Sequence, residues 1–229
     1  MTKKRKHRIS KRQKKQLILE LVILFLATVG AITLIYLLGK GVATVISEHR
    51  PKKAVTEQPE LDVELLSINK YSRPGTALEE VNAIVIHYTA NPGSTAIQNR
   101  NYFEGLKDSH ETMVSSHFVV GLEGEIVQCI PTSEVSYASN NRNEDTIAIE
   151  CCHMGEDGKF EPATYDSLVE LTAFLLGKFN LTTDNVIRHY DVTGKKCPLY
   201  YVEHEDEWEQ FKKDVDAYID KHGQIVEGR

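Results

Sequence analysis

The sequence predicts an α/β domain, a mixed central β-sheet flanked by helices, preceded by a single N-terminal transmembrane helix. Three observations predict it. Short β-rich runs interleave with segments of helical period, the pattern of a layered α/β domain. The run at 83–88 is apolar enough to read as a buried strand. A long apolar stretch, 17–38, follows directly on a basic head at 1–16.

That stretch is apolar except for Glu20, Thr28, Gly30, Thr33 and Tyr36. As a helix it measures roughly 33 Å, enough to cross a hydrocarbon core of about 30 Å. Nine of the 27 Lys/Arg lie within residues 1–15, where there is no acid. The positive-inside rule therefore keeps the N-terminus cytoplasmic and puts the rest outside the cell membrane as a single-pass protein. A cleaved signal peptide has a shorter apolar core and a small-residue cleavage site. Gly39 to Ala43 offers no convincing site, so an uncleaved anchor is expected. Beyond the head, 18 basic residues face 33 acidic ones, a formal charge of −15. Such a body is a poor partner for nucleic acid, whose affinity comes largely from phosphate neutralisation.

Residues 39–61 mix charges with Pro51 and Pro59 and show no sustained period, which reads as a tether. The apolar pattern restarts at Val63, so the domain is expected over 62–222, with a tail at 223–229. An extended arm covers 67–80 and turns at Arg73-Pro74-Gly75. After the strand at 83–88, a helix is expected over 95–106, with Ile97, Tyr102, Phe103 and Leu106 as its apolar face. Strands at 116–120 and 125–130 flank Leu122-Glu123-Gly124, a hairpin signal. Residues 146–152, TIAIECC, form another strand. Residues 164–179 repeat Leu168, Leu171, Leu175 and Phe179 along one helical face. A short strand follows at 186–189. The last helix, 205–221, carries Trp208, Phe211, Val215 and Ile219 at three- and four-residue steps.

The chemistry-bearing residues gather on these elements. His87 closes the first strand and His189 ends a later one, while Cys197 lies in the loop RHYDVTGKKCP. Two imidazoles and a thiolate are the donors zinc takes when a fourth position stays open. Singly, each is as well explained by a buried, satisfied side chain. Strand alternation in TIAIECC sends Ile147, Ile149 and Cys151 to one face and Ala148, Glu150 and Cys152 to the other. A carboxylate placed there is costly to bury without a partner, and water activated by a metal is one such partner. Lys195 shares a side of its loop with Cys197 and could stabilise an oxyanion, whereas Lys196 points away. Cys129, Cys151 and Cys152 read as buried free thiols, with disulfide pairing left open.

The motifs IVIHYTAN, SSHFVV, TIAIE and RHYDVTGKKCP, in that order, resemble the zinc-dependent N-acetylmuramoyl-L-alanine amidases of the amidase-2 type. The resemblance runs over about 66–218. It implies that His87, His189 and Cys197 ligate zinc, that Glu150 is the catalytic acid/base and that Lys195 stabilises the transition state. It also implies a peptidoglycan substrate, cut at the amide between N-acetylmuramic acid and L-alanine of the stem peptide. Thr89, Asn91 and His117 are the expected substrate contacts. Some members carry tyrosine where this chain has Ser116, which leaves the proton transfers to Glu150. The competing readings are a peptidoglycan-binding sensor that does not cut, and an interaction module whose structural zinc is completed by His117 or His153.

Overall fold

A computed structural model describes residues 53–226 and, before them, isolated positions 12, 15–16, 21, 24–26, 28–34 and 36. The chain separates into two units, Met1–Pro51 and Lys52–Arg229. In the first, the described positions are helical and the apolar ones, Leu24, Phe25 and Ile32 among them, are exposed. No helix among the described residues is long and apolar enough to cross a membrane. Ten of the 22 positions of the span expected over 17–38, and most of the basic head, most of the tether and the end of the tail, lie outside the described residues.

The second unit runs β1 (Lys53–Ala54), β2 (Asp62–Val63), β3 (Ala83–Tyr88), α1 (Ala96–Ser109), β4 (Phe118–Val120), β5 (Ile126–Gln128), β6 (Thr146–Cys151), α2 (Pro162–Phe179), β7 (Val186–Arg188), α3 (His189–Thr193), α4 (Leu199–Glu203), α5 (Glu205–His222) and β8 (Gln224–Ile225). Six strands form a mixed sheet in the order β2-β5-β4-β6-β3-β7. Within it β4 and β5 pair antiparallel as the expected hairpin, and the other neighbours are parallel. Gly124 makes the hairpin turn at φ +88°, and a Cβ there would lie 2.8 Å from Ser167 Oγ and 3.0 Å from Ala163 O. Only glycine fits both the backbone angle and the space.

The central strands are apolar on both faces because both faces are covered. Ile84 and Ile86 of β3 join Ile147 and Ile149 of β6 in a core shared with α2 and α5. Val119, Val127 and Cys152 lie in a second core with Ala96 and Phe103 of α1. The alternation expected of β6 is therefore observed. In α2, Leu168, Leu171 and Leu175 are buried as their spacing predicts. So are Val169, Thr172, Ala173 and Leu176, since this helix touches the sheet, α5 and β1 together. Helix α1 differs from expectation. Its buried residues are Ala96, Phe103 and Leu106, while Ile97 and Tyr102 face outward. Thr95 and Gln98 close its N-terminus as a reciprocal capping box.

The folded unit also starts earlier than Asp62. Lys53 and Ala54 pair antiparallel with Ile225 and Gln224. Val55 is only 4% exposed and belongs to the larger core. Gly177 of α2 admits this strand, because a Cβ there would meet Val55 O at 2.4 Å. Residues 53–61 and 224–225, read as tether and tail, are thus part of the domain.

Candidate active site

Parallel pairing brings the chemistry to one edge of the sheet. His87 of β3 lies opposite Glu150 of β6, and Ile86 lies opposite Arg188 of β7, so His189 follows at the same level. Open α/β sheets bind ligands at this carboxyl edge. His189 does not end a strand, as its sequence context suggested; it begins α3. The turn into the helix is made by Asp191, whose carboxylate accepts from the Arg188 backbone N–H at 2.8 Å and from its guanidinium. The Tyr190 N–H donates to Cys197 O at 2.9 Å, which folds the loop back and carries the thiol to the histidines.

His87, His189 and Cys197 are all buried, and each offers a ligand atom within 4.8 Å of the others. Cys197 Sγ lies 3.8 Å from His87 Nδ1, and the two imidazole centroids are 4.7 Å apart. The outer ring nitrogens meet neighbours from one turn. His189 Nε2 donates to Asn140 Oδ1 at 2.8 Å, and His87 Nε2 lies 3.4 Å from Ser139 Oγ. His189 Nδ1 is buried without a partner.

Burial, and then the charges of His189 and Lys195, hold His87 well below its ordinary pKa. His189 is lowered by burial and by Lys195. Both rings are therefore neutral and keep a lone pair, the form that binds a metal. The Cys197 thiol is pushed up to about 12, chiefly by burial, and ionises readily only beside a cation. Neutral imidazoles, a buried thiol and an orphaned Nδ1 fit a tetrahedral zinc with one position to spare.

Glu150 stands at the floor of the same cleft, which has a volume of about 390 Å³. Its Oε2 is enclosed and unpartnered, and burial raises the carboxyl to about 8 against the opposing charge of Lys195. Lys195 lines the cleft, while Lys196 pairs with Glu203 at 2.7 Å on the surface.

The expected substrate contacts fare differently. His117 is fully buried: its Nε2 donates to Glu134 O at 2.8 Å, and its Nδ1 accepts from the Ala148 N–H at 3.0 Å. Both ring nitrogens serve the core, so His117 cannot line the cleft. Thr89 and Asn91 border a separate groove beside the start of α1. His153 is buried, stacks on Tyr88 and donates from Nδ1 to Gly155 O. Neither His117 nor His153 joins the three-donor cluster among the described residues. All four cysteines are buried free thiols. Sequence reasoning missed Ser139, Asn140 and the cleft wall formed by Met113, Val114 and Tyr137. No periodicity or spacing marks a loop residue whose partner is some 50 positions away.

A mixed sheet that delivers three potential metal donors to one point beside a carboxylate with an enclosed oxygen defines an α/β protein with a candidate mononuclear metal centre. Residues 77–199 match the family model described as N-acetylmuramoyl-L-alanine amidase, and the chain belongs to that family. It is 35% identical over 167 residues to the N-acetylmuramoyl-L-alanine amidase CwlL of Bacillus licheniformis, a match covering 67% of this chain and 46% of the relative. With the amidase BlyA of Bacillus subtilis it shares 33% over 173 residues, covering 66% of this chain and 46% of that protein. The chain thus spans about half the length of the curated relatives it matches. The catalytic domain of XlyA, an amidase of Bacillus subtilis, superposes with a TM-score of 0.58 at 27% identity, covering 69% of this chain and 99% of that domain.

Proposed function

We propose that this protein is a membrane-anchored peptidoglycan hydrolase that cleaves the amide between N-acetylmuramic acid and L-alanine of the stem peptide. The observation that carries the reading is the convergence of His87, His189 and Cys197 beside Glu150, whose Oε2 is buried and unpartnered. The three donors would hold zinc, which supplies a Lewis acid that lowers the pKa of water and polarises a carbonyl. Glu150 accepts the proton of the attacking water and returns it to the departing amine. Burial raises its carboxyl in the metal-free site, and a bound cation would draw it back down, towards the carboxylate that accepts the proton. Lys195 lines the cleft, and its ammonium would stabilise the oxygen that becomes negative as the carbonyl turns tetrahedral. Residues 17–38 span the membrane, with the basic head inside and the catalytic unit outside.

Mass spectrometry of muropeptides released from purified wall by the full chain tests bond and metal together. Free stem peptides beginning with L-alanine are expected, and a chelator abolishes them. Activity that survives removal of all bound metal would sink the proposed chemistry, and release of a different fragment would sink the proposed bond.

A further inference from the structure

One short turn touches both candidate imidazole ligands from behind. Ser139 is 1% exposed, and its Oγ lies 3.4 Å from His87 Nε2. The next residue, Asn140, places Oδ1 2.8 Å from His189 Nε2. An amide oxygen can only accept, so the His189 proton must sit on Nε2, which leaves the lone pair on Nδ1. That Nδ1 is the buried atom without a partner.

The turn holds its shape by its own bonds. Asn140 adopts φ +53°, a left-handed conformation that asparagine tolerates better than most residues. The Asn143 Oδ1 accepts from the Ala138 N–H at 3.1 Å and the Ser139 N–H at 2.6 Å. The Arg142 N–H donates to Ser139 O at 2.9 Å, and its guanidinium grips Asp145 with bonds of 2.7 and 2.8 Å. Nothing in this bracing needs a metal. The outer nitrogens of metal-binding histidines are commonly held by an oxygen that sets tautomer and ring angle.

We propose that Ser139 and Asn140 are positioning residues for the two histidines before any ion arrives: Asn140 holds His189 in the metal-binding tautomer and orientation, and Ser139, whose hydroxyl can donate or accept, orients the ring of His87. Asn140 acts on His189 through the shorter bond and Ser139 on His87 through the longer one. This rests on the reading above that His87, His189 and Cys197 bind zinc.

The test uses the full chain, stripped of metal and titrated with Zn²⁺ against a chromophoric chelator, and with Co²⁺ followed by its visible absorption. Asn140→Gly keeps the left-handed backbone and removes the acceptor; Asn140→Asp keeps an acceptor. The glycine variant is expected to bind Zn²⁺ roughly 10- to 100-fold more weakly and to shift the Co²⁺ spectrum, and Ser139→Ala to lose less. Melting of the metal-free protein should be unchanged, and Asn140→Asp should bind like wild type. If Asn140→Gly matches wild type in affinity and spectrum, the positioning role is wrong while the zinc reading stands. If both Asn140 variants lower the metal-free melting temperature and lose metal alike, Asn140 only shapes the turn and the proposal fails. A wild-type chain that binds neither ion would overturn the zinc reading itself.

Discussion

Glu150, half-buried with one enclosed oxygen, and His117, fully buried, show how partners decide chemistry. Glu150 keeps an oxygen enclosed and unpaired, whereas both nitrogens of His117 are committed to the core. Glu150→Gln is expected to leave zinc bound while lowering kcat by about 10²- to 10⁴-fold, the usual worth of a general acid/base. Cys197→Ser should lose the metal as well as activity, which elemental analysis of the purified variants would separate. His117 makes a prediction about stability. Its pKa is lowered from 6.5 to about 4 by burial, so the unfolded chain takes up a proton more readily than the folded one. Its neutral form is fully accommodated above pH 6.5, and stability falls as pH drops towards 4, by roughly 3 kcal/mol in all. Urea unfolding at several pH values would show this slope, and His117→Gln should flatten it. An unchanged slope would contradict the role given to the ring.

At the scale of elements, periodicity told most where a strand or helix met one neighbour. Strand β3 and helix α5 appear where their patterns put them, with Trp208, Phe211 and Val215 buried as spaced. Helix α3 was hidden because its capping bonds come from Asp191, inside what looked like a loop. Helix α4 is a five-residue element, too short for a helical period to register. Strands β1 and β2 are two residues each, and β1 pairs with β8 at the far end of the domain. That pairing makes a testable difference between two starting points. A chain beginning at Asp62 lacks Val55 and is expected to unfold with about 2 kcal/mol less free energy than one beginning at Lys52. Equal urea midpoints and slopes would show that the first strand contributes nothing.

For the whole molecule, the separation of charge is the organising fact: a head of nine bases and no acid, then a body of formal charge −15. Under the proposed anchoring, the unit would be held at the outer face of the membrane and would act on nearby wall at high local concentration. In intact cells stripped of wall, external protease should digest the unit beginning at Lys52 and spare a tag at the N-terminus. Protection of both ends, or release of the protein by a salt wash alone, would refute the anchored arrangement.

Read alone, the sequence determined the longer elements and their order, the mixed α/β class and the faces of β6, and it named His87, His189 and Cys197 as candidate donors. These follow from chemistry local to a residue or from periods of two and 3.6 along the chain. The tertiary structure alone decided that His117 belongs to the core, that Thr89 and Asn91 border another groove, that the strand Lys53–Ala54 is part of the domain, and that Ser139 and Asn140 stand behind the histidines. Each of those depends on which distant backbone or side-chain group completes a hydrogen bond or fills a gap. Such partners are chosen only when the layers close on one another.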